Sequence, residues 1–481
     1  MRRLLALLVL AALAACGSIA PPPSVPSTAV VNRPAAKAPF LGASSPSFAQ
    51  EPVPGDWWRL YDDKRLDALV QQALAANTDL RVAAANLEKA EAGLDYADAA
   101  RQPSTSVFAA PSYGRRSAEE DLHPGKPFPN KFVYGTGVSV SYQVDLFGQI
   151  ARSIDAAQAD VGAATASRDA VRVTVVAETT RAYIDACASG REIGVAQRLL
   201  ALQEKSTALT RTLVDNGRAG ALDTKRSAVQ EDQVRATLPQ LETQHRLAIY
   251  RLAVLTGQAP RDFPADVAAC AQEPRLAAPL PVGDGASLLR RRPDVRRAEF
   301  ETQAAAERIG VVTADLYPKI SLGGSLASVG ALQRGFSDDT FKFSLGPLIS
   351  WEFPDRSRTK ARIRAADADH DAALARFDGS VLGALKETES ALEVVAEDEH
   401  RLEILEAARG KAADAARDTE RLFSLGRQGY LSVLDANRTL IAIEQNTAAA
   451  SSKLASDQVT LFLALGGGWQ DTTSASNAAR T

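Results

Sequence analysis

The chain has 481 residues and a formal net charge of −3, so no basic excess points to nucleic acid as a partner. Its four histidines show no ligand spacing, which argues against a metal site. Hydrophobic residues reach 46% while aromatics stay at 6%, and alanine recurs throughout, a composition that favours long, closely packed helices.

The first residues read as an address. Met1-Arg2-Arg3 is basic, and the apolar run Leu4–Ala12 is too short to span a bilayer as a mature helix. It ends in Leu13-Ala14-Ala15-Cys16-Gly17, which resembles a bacterial lipobox. On that reading residues 1–15 are a lipoprotein signal peptide and Cys16 is the lipidated N-terminus. Gly17 in place of aspartate then implies the outer membrane. A plain signal peptide with an incidental cysteine is the other reading. Residues 16–56 are rich in Pro, Ser and Ala and read as an extended segment with little core of its own.

A first repeat covers 57–257. It opens on Trp57-Trp58, followed by a helix that aligns Leu66, Leu69, Ala73 and Leu74. Asn77-Thr78-Asp79 offers a break and an N-cap for a second helix, which stops before Pro103. Two strand-type segments follow, at about 104–113 and 132–147, with an exposed loop between them. In the second, Phe132, Tyr134, Val138, Val140, Tyr142, Val144 and Leu146 share one face, while Gly135, Gly137, Ser139, Ser141, Gln143 and Asp145 share the other. This pattern suits a barrel wall between lipid and water, and equally a half-buried strand of a soluble sheet.

From about Ile150 to Val214 the pattern is helical without a proline, on the order of 95 Å at 1.5 Å per residue. Val195, Leu199, Leu202, Leu209 and Leu213 follow a heptad seam. After a turn at Gly217, Val234, Leu238, Leu241, His245, Ala248, Leu252 and Leu255 continue it, which predicts an antiparallel hairpin. Pro239 predicts a local kink in its second helix. His245 reads as a packed or pore-side polar residue.

Residues 258–285 form a linker, and a second repeat covers 286–466. Asp79-Leu80-Arg81 returns as Asp294-Val295-Arg296, and strand-type segments return at about 320–329 and 340–353. A second long helix runs from about Arg358 to Leu425, and a last one to about Leu465. Gly217-Arg218-Ala219-Gly220 matches Gly426-Arg427-Gln428-Gly429 at an offset of 209 (426 − 217), and Gly257 matches Gly466 at the same offset. Residues 467–481 read as a flexible tail.

Each half therefore reads helix, strand, strand, very long helix, turn, helix. Four amphipathic strands cannot close a barrel, and an open edge is not tolerated in lipid. Three copies supply twelve strands, within the range of closed barrels. The fold class is an α+β membrane protein with a duplicated repeat, its very long helical hairpins forming a tunnel that continues a trimeric 12-stranded β-barrel.

Four stretches carry a resemblance to a known family. They are the opening from Trp57-Trp58 through Leu66, Leu69, Ala73-Leu74 and Asn77 to Asp79-Leu80; Arg292-Pro293-Asp294-Val295; the duplicated tip; and Val433-Leu434-Asp435-Ala436. Together they resemble the TolC/OprM family of outer-membrane efflux channels, in its lipoprotein branch, over nearly all of the mature chain. The resemblance implies a homotrimer with its barrel in outer-membrane lipid and its helical tunnel in the periplasm. It implies an exit duct for an inner-membrane pump of the resistance-nodulation-division type, reached through a periplasmic adaptor, with no catalytic residues and no cofactor. By position, Leu431, Asp435 and Arg438 become gate residues on one helix face. Some relatives carry a second aspartate where this chain has Ser432, which predicts a less negative ring. Gly217, Arg218, Gly426 and Arg427 become adaptor-docking tips, against a plainer reading as turns with solvated arginines. The family packs the linker around the tunnel's waist, so Cys187 and Cys270 could meet, either bridged or as two buried thiols. At the offset of 209, Arg226 stands where the second copy has Asp435, which makes the gate specific to the second copy. A channel for type I protein secretion, and a non-pore periplasmic coiled-coil lipoprotein, are the competing readings. No nucleophile–base pair or phosphate loop supports an enzyme.

Overall fold

The computed structural model describes residues 25–467, apart from 116, 118–123, 277–278 and 354–355. Cys16 and the expected signal peptide at 1–15 lie outside these residues, as do the residues beyond Gly467. The described chain falls into two compact units, and they cut across the two sequence repeats. One unit combines Leu87–Ala164 with Ala298–Phe377; the other combines Ser27–Asn86, Thr165–Arg297 and the residues from Asp378 on.

The first unit is organised around an antiparallel sheet. Its strands are β1 (Ser104–Ala109), β2 (Ser112–Gly114), β3 (Lys131–Val144), β4 (Lys319–Ala331) and β5 (Phe341–Ser350). Their order is β1–β3–β4–β5, with β2 also paired to β3. The register sorts the side chains by period two. Val107, Val138, Leu326 and Phe343 lie side by side across all four strands, and one residue along, Ser106, Ser139, Ser325 and Ser344 do the same. Within the serine row, hydroxyls pair across strands at 2.8 Å in both the Ser106–Ser139 and Ser325–Ser344 pairs. β1 and β5 are the two outer strands, and Pro347 in β5 is tolerated because only one side of that strand is paired.

The strands depart from the sequence reading at their ends. The segment at 104–113 is split, because Pro111 has no N–H for the ladder that Ala110 still joins through Gly135. The segment at 132–147 stops at Val144. Asp145 turns instead to cap a helix, accepting from the N–H groups of Ile150 (3.1 Å) and Ala151 (2.8 Å), so it is not a strand-face residue. The segment at 340–353 is a strand only over Phe341–Ser350, since Thr340 belongs to a helical turn closed by Ser337.

Among the described residues, eight helices of seven residues or more carry the rest of the architecture: α1 (Lys64–Ala76), α2 (Thr78–Ala99), α3 (Gln149–Asp215), α4 (Ala221–Leu255), α5 (Gly285–Arg291), α6 (Pro293–Thr313), α7 (Ser357–Ser424) and α8 (Tyr430–Ala464). The repeat is exposed in their lengths: α3 and α7 have 67 and 68 residues, and α4 and α8 have 35 each. No helix among the described residues is long and apolar enough to cross a membrane. α4 runs through Pro239 without interruption.

The α3/α4 hairpin packs on only part of the expected leucine seam. Leu199 is buried, whereas Leu202 and Leu209 are 38% and 44% exposed. The buried positions after Leu199 are Gln203, Thr207 and Thr210. This is a spacing of 4, 4 and 3, eleven residues over three turns, so the buried stripe drifts away from a heptad. The polar seam is self-satisfied: Gln203 Nε2 donates to the backbone carbonyl and hydroxyl of Ser227, both at 3.2 Å, and the Thr207 hydroxyl lies 2.9 Å from that of Ser227. On α4 the expected seam holds better, with Val234, Ala248 and Leu252 buried.

The N-terminal segment also differs from expectation. Its described part buries Val30, Phe40, Phe48 and Val53, and Phe48–Ala49 pairs in parallel with Leu280–Pro281 of the linker. Glu389 of α7 holds it in place, accepting from the N–H groups of Leu41 (2.8 Å) and Gly42 (3.0 Å).

Candidate gate and helix-tip site

Four glycines end the hairpin helices in the same way. Gly217 and Gly426 sit at φ +66° and +70°, and Gly257 and Gly466 at +72° and +66°. At each, the next residue's N–H reaches back to a carbonyl five residues earlier, as Arg218 does to Leu213 (2.8 Å) and Arg427 to Leu422 (2.9 Å). This is the Schellman closure, which needs a left-handed residue. A substitution separates two kinds of glycine. A Cβ on Gly217 meets nothing within 4 Å, but one on Gly257 stands 2.8 Å from the Ala76 carbonyl oxygen. Gly217→Ala is expected to cost about 1–2 kcal/mol through backbone strain alone, and Gly257→Ala measurably more. Equal melting temperatures for the two variants would contradict this.

At the tips, Arg218 and Arg427 are exposed, and their side chains have no partner among the described residues. The tips differ in how their second helices begin. In the first, Asp223 Oδ2 accepts from the Gly220 N–H at 3.1 Å. In both tips the N–H at this position donates to the carbonyl three residues back, Asp223 to Gly220 at 2.9 Å and Ser432 to Gly429 at 3.1 Å, but Ser432 forms no side-chain cap bond.

The three gate candidates lie on the first turns of α8. Leu431 is 54% exposed, and Asp435 and Arg438 are exposed too. Val433 and Leu434, between them, are buried. Asp435 and Arg438 have no side-chain bond to each other or to other described residues, so the face is charged and unpaired within one chain. Ile441, one turn further on, packs with Leu199 of α3 and Val234 of α4. Leu431, Asp435 and Arg438 thus occupy an exposed stripe beside the buried one of Val433, Leu434 and Ile441.

Tyr430 is the residue that sequence reasoning missed. Its hydroxyl donates to the Ser206 carbonyl at 2.8 Å and also meets the Ser206 hydroxyl. Its ring lies 5.3 Å from that of Phe423 across the tip turn. One side chain thus ties the start of α8 both to its own turn and to α3. The signal was present in the repeat: at the offset of 209, the first copy has Ala221.

At the other end of the hairpins, a duplicated junction fixes their position. Asn77 donates to the Leu255 carbonyl at 3.1 Å while its side-chain oxygen accepts from the N–H groups of Asp79 (2.9 Å) and Leu80 (3.2 Å). Arg292, which follows Asn77 by 215 positions (292 − 77), donates to the Ala464 carbonyl at 2.9 Å and binds Asp294 through both nitrogens of a fork at 2.9 and 2.7 Å. Arg291 beside it donates to the carbonyls of Leu465 (3.0 Å) and Val53 (2.9 Å), and burial pulls its guanidinium down to about 10, still charged at neutral pH. The arginines cap the C-terminus of α8, where cations are favoured.

Cys187 of α3 and Cys270 of the linker are joined by a disulfide. The same stretch of linker is held twice more. His245 has one ring nitrogen 2.9 Å from the Ala186 carbonyl and the other 2.8 Å from that of Ala268, and Gly190 lies directly against the backbone at Cys270.

The model of the outer membrane efflux protein family matches residues 69–258 and 286–467. The outer membrane protein OprJ of Pseudomonas aeruginosa is 30% identical over 472 residues, covering 97% of this chain and 96% of that one. The probable outer membrane lipoprotein SilC of Salmonella typhimurium is 25% identical over 416 residues, 86% of this chain and 88% of that one. Among solved structures, the outer-membrane channel OprN superposes with a TM-score of 0.86 at 32% identity, over 94% of this chain and all of that one.

Proposed function

The chain belongs to the outer membrane efflux protein family, and from that premise we propose that it is the outer-membrane exit duct of a tripartite efflux system. The observation that carries the reading is the sheet. An apolar row beside a serine row, running across four strands whose outer edges are unpaired, fits one third of a barrel with lipid outside and water inside. Three chains close it, since open edges cannot persist in lipid. Small molecules pass through by diffusion, delivered by an inner-membrane pump of the resistance-nodulation-division class and a periplasmic adaptor; the chain itself catalyses nothing. Lipidation at Cys16 would tether each copy to the same membrane, in keeping with the description of the Salmonella relative as a probable lipoprotein. Arg218 and Arg427, exposed and unpartnered, suit docking of the adaptor.

The gate is the exposed stripe of α8. In a trimer, Leu431 forms an apolar ring that opposes wetting, and Asp435 a ring of three carboxylates that favours cations. Arg438, unpaired in one chain, is free to reach a neighbour's acceptor. Tyr430 holds the stripe against α3 through Ser206. In planar bilayers, Asp435→Ala and Arg438→Ala are expected to raise single-channel conductance, with Asp435→Ala also lowering cation preference. Conductance and selectivity equal to the unmodified protein in both variants would remove these residues from the gate.

A further inference from the structure

A cavity of about 750 Å³ lies at the start of α1, far along the chain from the tips, and takes no part in the duct reading. One wall is Tyr61–Arg65 and the other is Gln272–Arg275 of the linker, with Arg191 of α3 between them. Its walls are fixed. Asp63 caps α1 and accepts from the Tyr183 hydroxyl at 2.9 Å, and the linker wall begins two residues after the disulfide at Cys270.

Three buried polar atoms on lining residues have no partner: the Tyr61 hydroxyl, Glu273 Oε2 and Arg191 Nε. Tyr61 and Glu273 are only 4% and 7% exposed. Their neighbours are satisfied. Glu273 Oε1 meets both Arg191 (3.1 Å) and the Ser451 hydroxyl (2.5 Å), and Arg191 also reaches the Ala448 carbonyl (3.0 Å). Leaving buried groups unmade is costly, so the set is poised for something that enters. Around the mouth, Lys64, Arg65 and Arg275 have no ion pair among the described residues; the carboxylates beside them are Asp62, which is exposed, and Asp63, which is taken up by the N–H groups of Arg65 and Leu66 and by the Tyr183 hydroxyl. Asp62 is also the one non-glycine among the described residues in the left-handed region, at φ +46°.

We propose that this cavity binds an acidic peptide segment of a partner protein. The three cations supply donors for carboxylates, Arg191 Nε and the Tyr61 hydroxyl supply buried donors, and Glu273 Oε2 requires an N–H in return. A peptide amide beside an acidic side chain provides both halves of that pattern, whereas an anion such as sulfate or chloride provides only acceptors. The site stands on its own geometry, so its failure leaves the duct reading untouched.

The test is fluorescence anisotropy of a fluorescein-labelled, amide-capped tetraglutamate peptide titrated with the full-length protein in detergent. Saturable binding is expected that weakens with salt and is absent for the matching tetraglutamine peptide. Arg65→Gln with Arg275→Gln, both at exposed positions, should weaken binding by about tenfold or more. Tyr61→Phe, which removes only the hydroxyl, should weaken it by a smaller factor with an unchanged melting temperature. Lys89→Gln, at an exposed position of α2, should bind as the unmodified protein does. Absence of saturable binding, equal affinity in the double-arginine variant, or displacement of the peptide by inorganic phosphate at matching concentration would each overturn the proposal.

Discussion

Replacing Cys187 and Cys270 together by alanine is expected to lower the unfolding free energy by about 4–5 kcal/mol. The bridge spans 83 residues, so in the oxidised chain it removes a large share of the loop-closure entropy of the unfolded state. That span includes the whole tip half of the first hairpin and its return through α4. The bridge also fixes the linker over a junction where few other covalent restraints act. The folded contacts that remain, His245 between two carbonyls and Gly190 against the Cys270 backbone, should keep the double variant native-like. Thermal unfolding with and without reductant provides the measurement. The unmodified protein should melt lower when reduced, and the double variant should be indifferent to reductant. A reductant effect that persists in the double variant, or none in the parent, would refute this assignment.

Arg292→Ala is the second large effect, expected to cost about 3–5 kcal/mol. The side chain is largely buried and serves three partners at once: the Ala464 carbonyl, the Asp294 carboxylate and Glu387 at 2.8 Å. Its loss strands the end of α8 and leaves a partly buried carboxylate. Arg292→Lys should recover only part of the loss, because a point charge cannot make the forked bond to Asp294. The pH dependence follows from Asp294. Burial works to raise its carboxyl pKa, but the bonds and charge of Arg292 win, and the folded value lies below the ordinary one. A lowered folded pKa contributes stability that is complete above the unfolded value, near 3.9, and is lost as the pH falls through the folded value. Acid unfolding of the parent should therefore carry a component below about pH 4 that Arg292→Ala lacks. Identical acid limbs would show that the pair contributes nothing.

What the residues disclosed in advance was set by the kind of signal each carries. Glycine at a left-handed position and a strand's period of two are local and strong, so the tips and the apolar face of β3 could be read directly. The fixed offset of 209 then doubled that information. The α3 seam was harder, because leucine is the natural guess for a buried position. Gln203 and Thr207 are buried only because Ser227 on α4 completes their hydrogen bonds, and that partner is 20 or more residues away. The N-terminal segment looked coreless because Phe40, Phe48 and Val53 acquire their core from elements far along the chain, Leu280 among them. Asp145 looked like one more polar strand residue until the helix it caps was in place. Within the site, Leu431, Asp435 and Arg438 come from the family resemblance by position, with their spacing adding that they share one helix face, but Tyr430 comes from neither. Its importance lies in reaching Ser206, a contact between elements 224 residues apart. The departure from the repeat, tyrosine against alanine, was the one trace it left.

The competing readings make different demands on the same molecule. A coiled-coil lipoprotein without a pore has no use for a sheet whose apolar and serine rows run across four strands with unpaired outer edges. A duct with a closed tip needs that sheet, and it needs a releasable bond at the tip as well.

Single-channel recording of the purified, detergent-extracted protein in planar bilayers, beside its Tyr430→Phe variant, tests the central claim most directly. Discrete conducting events are expected for the unmodified protein, and a larger conductance or longer open time for Tyr430→Phe, which loses the bond to Ser206 but keeps the ring against Phe423. A protein that never conducts, or a variant indistinguishable from its parent in conductance and open time, would contradict that claim.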